Sequence, residues 1–66
     1  MEIDVCMPTW NSSKVLGRTL TLLAAAESSS DININNLIVV DNESSDDTLT
    51  IAGGKAEEHS WGEVFI

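Results

Sequence analysis

At 66 residues, the chain is at most one small domain, and a domain of that size buries only about 60% of its unfolded surface. Eleven acidic against three basic side chains give a formal net charge of −8, which argues against nucleic acid or an anionic membrane as a direct partner of this segment. A single cysteine rules out a disulfide framework; Cys6, in an apolar run without a basic or histidine neighbour, is expected to be a small buried hydrophobe.

Met1-Glu2-Ile3-Asp4 has neither a basic n-region nor an apolar h-region, so no signal peptide is expected. No run approaches the ~20 apolar residues of a membrane span. A cytoplasmic location without membrane contact is the expectation. On that ground the two sequons, at Asn11 and Asn42, are chance matches.

Ile3–Met7 is the first strand, ended by Pro8, which has no N–H to donate and favours an extended residue before it. Asn11, Ser12 and Ser13 offer helix N-caps. Leu16, Leu20 and Leu23 then fall on one 3.6-residue stripe, widened by Val15, Leu22 and Ala26, and predict a helix over Lys14–Ala26. Gly17 weakens it by up to about 1 kcal/mol unless close packing needs a glycine there. Glu27–Asn36 is a polar connector in which Ile32 and Ile34 permit a short edge element.

Leu37–Val40 is the second strand, continuous rather than alternating, as expected when helices cover both faces. A second helix is predicted from near Ser45. Asp46 and Asp47 would sit in its first turn, where the macrodipole favours acids, and Leu49, Ala52 and Ala56 on its apolar side. Gly53-Gly54 would break or weaken it. His59, without a partner at metal-ligand spacing, is expected to be an exposed helix-end residue. Ser60-Trp61-Gly62 is a turn, and Val64-Phe65-Ile66 begins a third strand.

The order β-α-β-α-β predicts an α/β fold, a three-layer half-Rossmann arrangement with a parallel sheet in the order 3-2-1, formed by residues 1–66 as one segment. Ligands of open α/β sheets bind outside the carboxyl ends of the strands. Adjacent strands lie about 4.8 Å apart, so Pro8–Asn11 and Asp41–Asp46 can line one crevice. Trp10 would be its aromatic wall. Asp41 would accept from the imide N–H of a uracil or from a ribose hydroxyl, or else tie down its loop or cap the next helix. Neither of the usual glycine-rich phosphate cradles is present, and no catalytic Ser-His-Asp or Cys-His set can be assembled.

Two stretches then resemble a family. Ile3-Asp4-Val5-Cys6-Met7-Pro8-Thr9-Trp10-Asn11 is similar to the opening of the family 2 glycosyltransferases, an apolar strand followed by Pro-Thr-Tyr-Asn. Leu37-Ile38-Val39-Val40-Asp41-Asn42-Glu43-Ser44-Ser45-Asp46-Asp47-Thr48 resembles their second motif, an apolar strand followed by Asp-Asp-Gly-Ser-Thr-Asp-Gly-Thr. Both occur in order and at the family's separation.

The resemblance implies the amino-terminal part of a GT-A fold. It also implies a nucleotide-diphospho-sugar donor, with UDP-sugar favoured, and a hexosyltransferase activity in the full-length enzyme. Pro8, Thr9, Trp10 and Asn11 would surround the base and ribose, Asp41 would hold the base, and Asn42, Ser44 and Asp46 would shape the pocket floor. The divalent cation (Mn or Mg) and the catalytic base belong to later motifs, so no catalytic residue or metal ligand is expected here and the segment alone would be inactive.

Three departures stand out. Trp10 replaces tyrosine, Asn42 replaces an aspartate, and Glu43 and Asp47 stand where glycine is common. A positive φ at either of the last two would strain the loop.

Two other readings remain. A half-sheet with a free first-strand edge could be a non-catalytic, self-associating module. Val39-Val40-Asp41-Asn42-Glu43 is also similar to the acidic strand end of phospho-acceptor receiver domains. There, however, that acid lies on the first strand and the acceptor two strands later.

Overall fold

The computed structural model describes all 66 residues. Its elements are β1 (Glu2–Thr9), α1 (Ser13–Ser28), β2 (Asn33–Asp41), α2 (Thr48–Glu58) and β3 (Gly62–Phe65). The strands form one parallel sheet ordered β1-β2-β3, with β2 central; this is the predicted 3-2-1 order read from the opposite edge.

Every element extends beyond or shifts from its predicted bounds. β1 runs through Pro8, which pairs with Val40. A proline is tolerated there because β1 is an edge strand, where its missing N–H removes no ladder bond. β2 begins at Asn33 because the supposed edge element at Ile34 belongs to this central strand. Ile3 pairs with Ile34 and Asp4 with Asn36, so Asn35 is an extra, bulged residue. The bulge lets both Ile34 and Leu37 point into the core, where they are buried. Glu27 holds this corner: its Oε2 accepts from the Ile34 N–H at 2.6 Å and its Oε1 from the Trp61 indole N–H at 3.1 Å.

The core is a cluster of Leu16, Leu20 and Ala24 from α1, Ile34, Leu37 and Val39 from β2, Ala52 and Ala56 from α2, and Trp61. Ile3, Val5 and Met7 of β1 pack against it. The helices lie side by side on one face of the sheet. The small side chains of Ala52 and Ala56 let α2 approach closely, while Val15, Leu22 and Ala26 of α1 face outwards instead of widening its buried stripe.

β2 is therefore not covered on both faces. Cys6, Ile38 and Val64 form one row on its other side, and Pro8 and Val40 the next. Val40 and Val64 are exposed, Ile38 is half-buried, and Cys6 is exposed rather than buried. The 66 residues build two layers of the expected sandwich, the sheet and one helical layer.

α2 starts later than predicted, at Thr48, so Asp46 and Asp47 precede it and its first turn carries no acid. It passes through Gly53-Gly54 without a break. His59 caps its end and is half-buried, its ring centroid 5.0 Å from that of Trp61. Trp61, expected in a turn, is one of the most buried large side chains.

Candidate functional site at the carboxyl edge of the sheet

β1 and β2 end in register, with Thr9 opposite Asp41. The Asn42 N–H donates to the Thr9 carbonyl at 2.9 Å and carries the pairing one residue into the loop. The side chains at this end meet directly. Thr9 Oγ1 and Ser44 Oγ each donate to Asp41 Oδ1 at 2.6 Å, and the Ser44 N–H donates to Asp41 Oδ2 at 2.8 Å.

These donors, the Ser44 hydroxyl first, then the Thr9 hydroxyl and the Ser44 N–H, hold the Asp41 carboxyl below its usual range. At neutral pH Asp41 is a fixed anion that can only accept. Oδ1 is engaged by two hydroxyls. Oδ2, with one protein donor, retains capacity for another.

Pro8, Thr9, Trp10, Val40, Asp41 and Asn42 line an open crevice of about 550 Å³ above this pair. Trp10, 65% exposed, is part of that lining. Of the residues singled out from the sequence, Pro8, Thr9, Trp10, Asp41 and Asn42 are thus in the crevice. Asn11, Ser44 and Asp46 are not among its lining; they join the two loops below it.

The Asn11 N–H donates to Ser44 Oγ at 2.9 Å, and the Ser45 N–H returns a bond to Asn11 Oδ1 at 2.8 Å. Asn11 has a φ of 43° and Glu43 a φ of 52°, so each loop reverses through one left-handed non-glycine residue. Asp47, at −82°, does not.

Asp46 lies between the starts of both helices. Its Oδ2 accepts from the Ser13 N–H at 3.2 Å, and its Oδ1 from the Thr48 N–H at 3.0 Å and from the Thr48 hydroxyl. Thr48 Oγ1 in turn accepts from the Ser12 N–H at 2.8 Å. The Thr48 hydroxyl is the main reason that the Asp46 carboxyl is held at about 2; partial desolvation opposes it, and the Ser13 bond adds to it. Ser12, the N-cap of α1, makes no side-chain cap of its own; its hydroxyl turns back to Trp10, donating to the Trp10 carbonyl at 3.1 Å and accepting from the Trp10 N–H at 3.4 Å.

Sequence reasoning missed Val40 as a wall and Thr48, Ser12 and Ser13 as parts of the junction. Val40 was legible as a strand-end residue next to Asp41. The cross-loop capping left no spacing signal, because its partners are more than thirty residues apart.

The divalent cation that the resemblance implies finds no ligand set here. No group of three or more His, Cys, Asp or Glu side chains is arranged to hold a metal, and the oxygens of Asp46 already accept from Ser13 and Thr48. No helix is long and apolar enough to cross a membrane.

Comparison with known proteins gives one finding. The family model described as glycosyl transferase family 2 matches residues 4–65. Neither the curated proteins nor the solved structures gave a match. The matched range runs from β1 into β3 and includes both strand-end loops. The chain therefore belongs to glycosyl transferase family 2.

Proposed function

We propose that this segment binds the nucleotide end of a nucleotide-diphospho-sugar, UDP-sugar in preference, for a glycosyltransferase whose metal ligands and catalytic base lie on other residues. The observation that carries this reading is the Asp41 carboxylate: ionised, fixed by Thr9 and Ser44, and open at Oδ2 in a crevice with an exposed indole. Uracil offers an N3–H to that oxygen and a ring face to Trp10. Cytosine has an acceptor at the same ring position, so its N3 would face the carboxylate with no proton between them.

Base–aromatic stacking contributes about 1–3 kcal/mol, and a millimolar complex corresponds to about 4 kcal/mol. Weak binding is therefore expected from this segment, and transfer activity is not. Saturation-transfer NMR with UDP and CDP on the native chain and on Asp41→Asn tests the reading. UDP should give the stronger transfer to its base protons, and the variant should erase the difference. Equal signals from UDP and CDP on the native chain would refute base reading by Asp41.

A second reading, a self-associating module, is favoured by the free edges of β1 and β3 and by the apolar rows on the uncovered face. Sedimentation velocity from micromolar to millimolar chain separates the two: a monomer throughout would dispose of it.

A further inference from the structure

The geometry points to Asp46 as a positioning residue: its one carboxylate is shared by the starts of both helices and locks the 42–47 loop to residues 10–13, which keeps Trp10 and Asp41 together in the lining of one crevice. The claim about ligand binding rests on the donor-site reading above; the lock itself does not.

The two loops reach the junction from strands β1 and β2, and each helix leaves from it. α1 has no acid in its first turn and no side-chain cap of its own. The same holds for α2. Both helix ends carry unpaired N–H groups and a partial positive charge. A carboxylate between them satisfies the Ser13 and Thr48 N–H groups at once, and through the Thr48 hydroxyl it orients the oxygen that accepts from Ser12.

Thr48 is fully buried, so this relay runs under the loops rather than over them. Other cross-loop bonds, Asn11 N–H to Ser44 Oγ and the Ser45 N–H and hydroxyl to Asn11 Oδ1, do not involve Asp46. In a lock they depend on it; in a purely local cap they do not. The Asp46 oxygens accept from Ser13 and Thr48, and none of these three residues lines the crevice, so its effect on a ligand would pass through Trp10 and Asp41.

The test uses the whole chain with Asp46→Asn, which keeps the shape but turns an N–H pair towards donors, and Thr48→Val, which keeps the volume and removes the relay hydroxyl. In ligand-free protein, amide–solvent exchange should quicken about tenfold, as expected for loss of charge-assisted bonds, at Asn11 and Ser45 as well as at Ser13. Leu20 and Leu37 should keep their protection. The double variant should be no more perturbed than the worse single one, because both break one unit.

UDP binding should weaken about fivefold or more in either variant. It should not weaken in Ala24→Gly, a control on the buried side of α1 whose effect reaches the loops only through overall stability. Exchange that changes only at Ser13 and Thr48, with Asn11 and Ser45 as in the native chain, would overturn the lock. Faster exchange at Asn11 and Ser45 with UDP binding unchanged would overturn the positioning role. A native chain that binds no UDP would refute the donor-site reading and the positioning role with it, while the exchange rates would still judge the lock.

Discussion

Replacing Glu43 by glycine should stabilise the protein. Glu43 sits at a φ of 52° in the loop after Asp41, a region that costs an L-residue roughly 1–2 kcal/mol. Glycine carries no such penalty, but it loses about 0.5–1 kcal/mol more chain entropy on folding. The net gain is about 0.5–1 kcal/mol, or a rise in Tm of about 3–6 °C for a domain of this size.

Charge offers a rival explanation, since the chain carries a net −8 and Glu43 lies close in sequence to Asp41 and Asp46. Glu43→Ala removes the charge but keeps the Cβ, and so separates the two causes. The assay is urea unfolding followed by the fluorescence of the buried Trp61, with the midpoint and slope fitted for each variant. The expected order is Gly above Glu and Ala. Asp47, the other position where the family often has glycine, has an ordinary φ of −82°, so Asp47→Gly should give no gain. Equal stabilisation by Glu43→Ala and Glu43→Gly would refute the backbone argument.

Other substitutions probe the scaffold and its pH response. Gly54→Ala in α2 would place a methyl where no atom lies within 4 Å, and should stabilise by about 1 kcal/mol in the same unfolding assay. Glu27→Gln leaves either the Ile34 N–H or the Trp61 indole N–H facing an amide donor; it should cost about 1–3 kcal/mol and shift Trp61 emission to the red. Asp46 titrates in the folded state at about 2 against an ordinary value of 3.8. Its contribution to stability is therefore complete above the ordinary value and lost as the pH falls through about 2. Asp41 shifts in the same direction. Acid unfolding of Asp46→Asn should accordingly be flatter than that of the native chain between about pH 4 and pH 2.

The order of elements and the two loops at the sheet's carboxyl edge were legible because strand exits are written in single residues: Pro8 after Met7, and Asp41 after Val40. Leu16, Leu20, Ala52 and Ala56 announced their burial by helical period. The number of layers was not legible, since an apolar run such as Leu37–Val40 reads alike whether its second face is covered within the chain or left open. Cys6 was misplaced for the same reason. The start of α2 was misjudged because an acid near a helix start satisfies N–H groups equally well from the preceding loop. Asp46 does this for two helices, one of them distant in sequence. Trp61 looked like a turn residue because its partner Glu27 lies thirty-four positions away.

The proposed base end of the nucleotide-sugar site is Trp10 together with Asp41, whose carboxylate Thr9 and Ser44 hold. Its most direct test is a titration of the isotope-labelled chain with UDP up to millimolar concentration, read as amide shifts. Shifts should concentrate at Thr9, Trp10, Asp41 and Asn42 and be lost in Asp41→Asn. Shifts that are absent at that concentration, or scattered over α2 and β3, would contradict it.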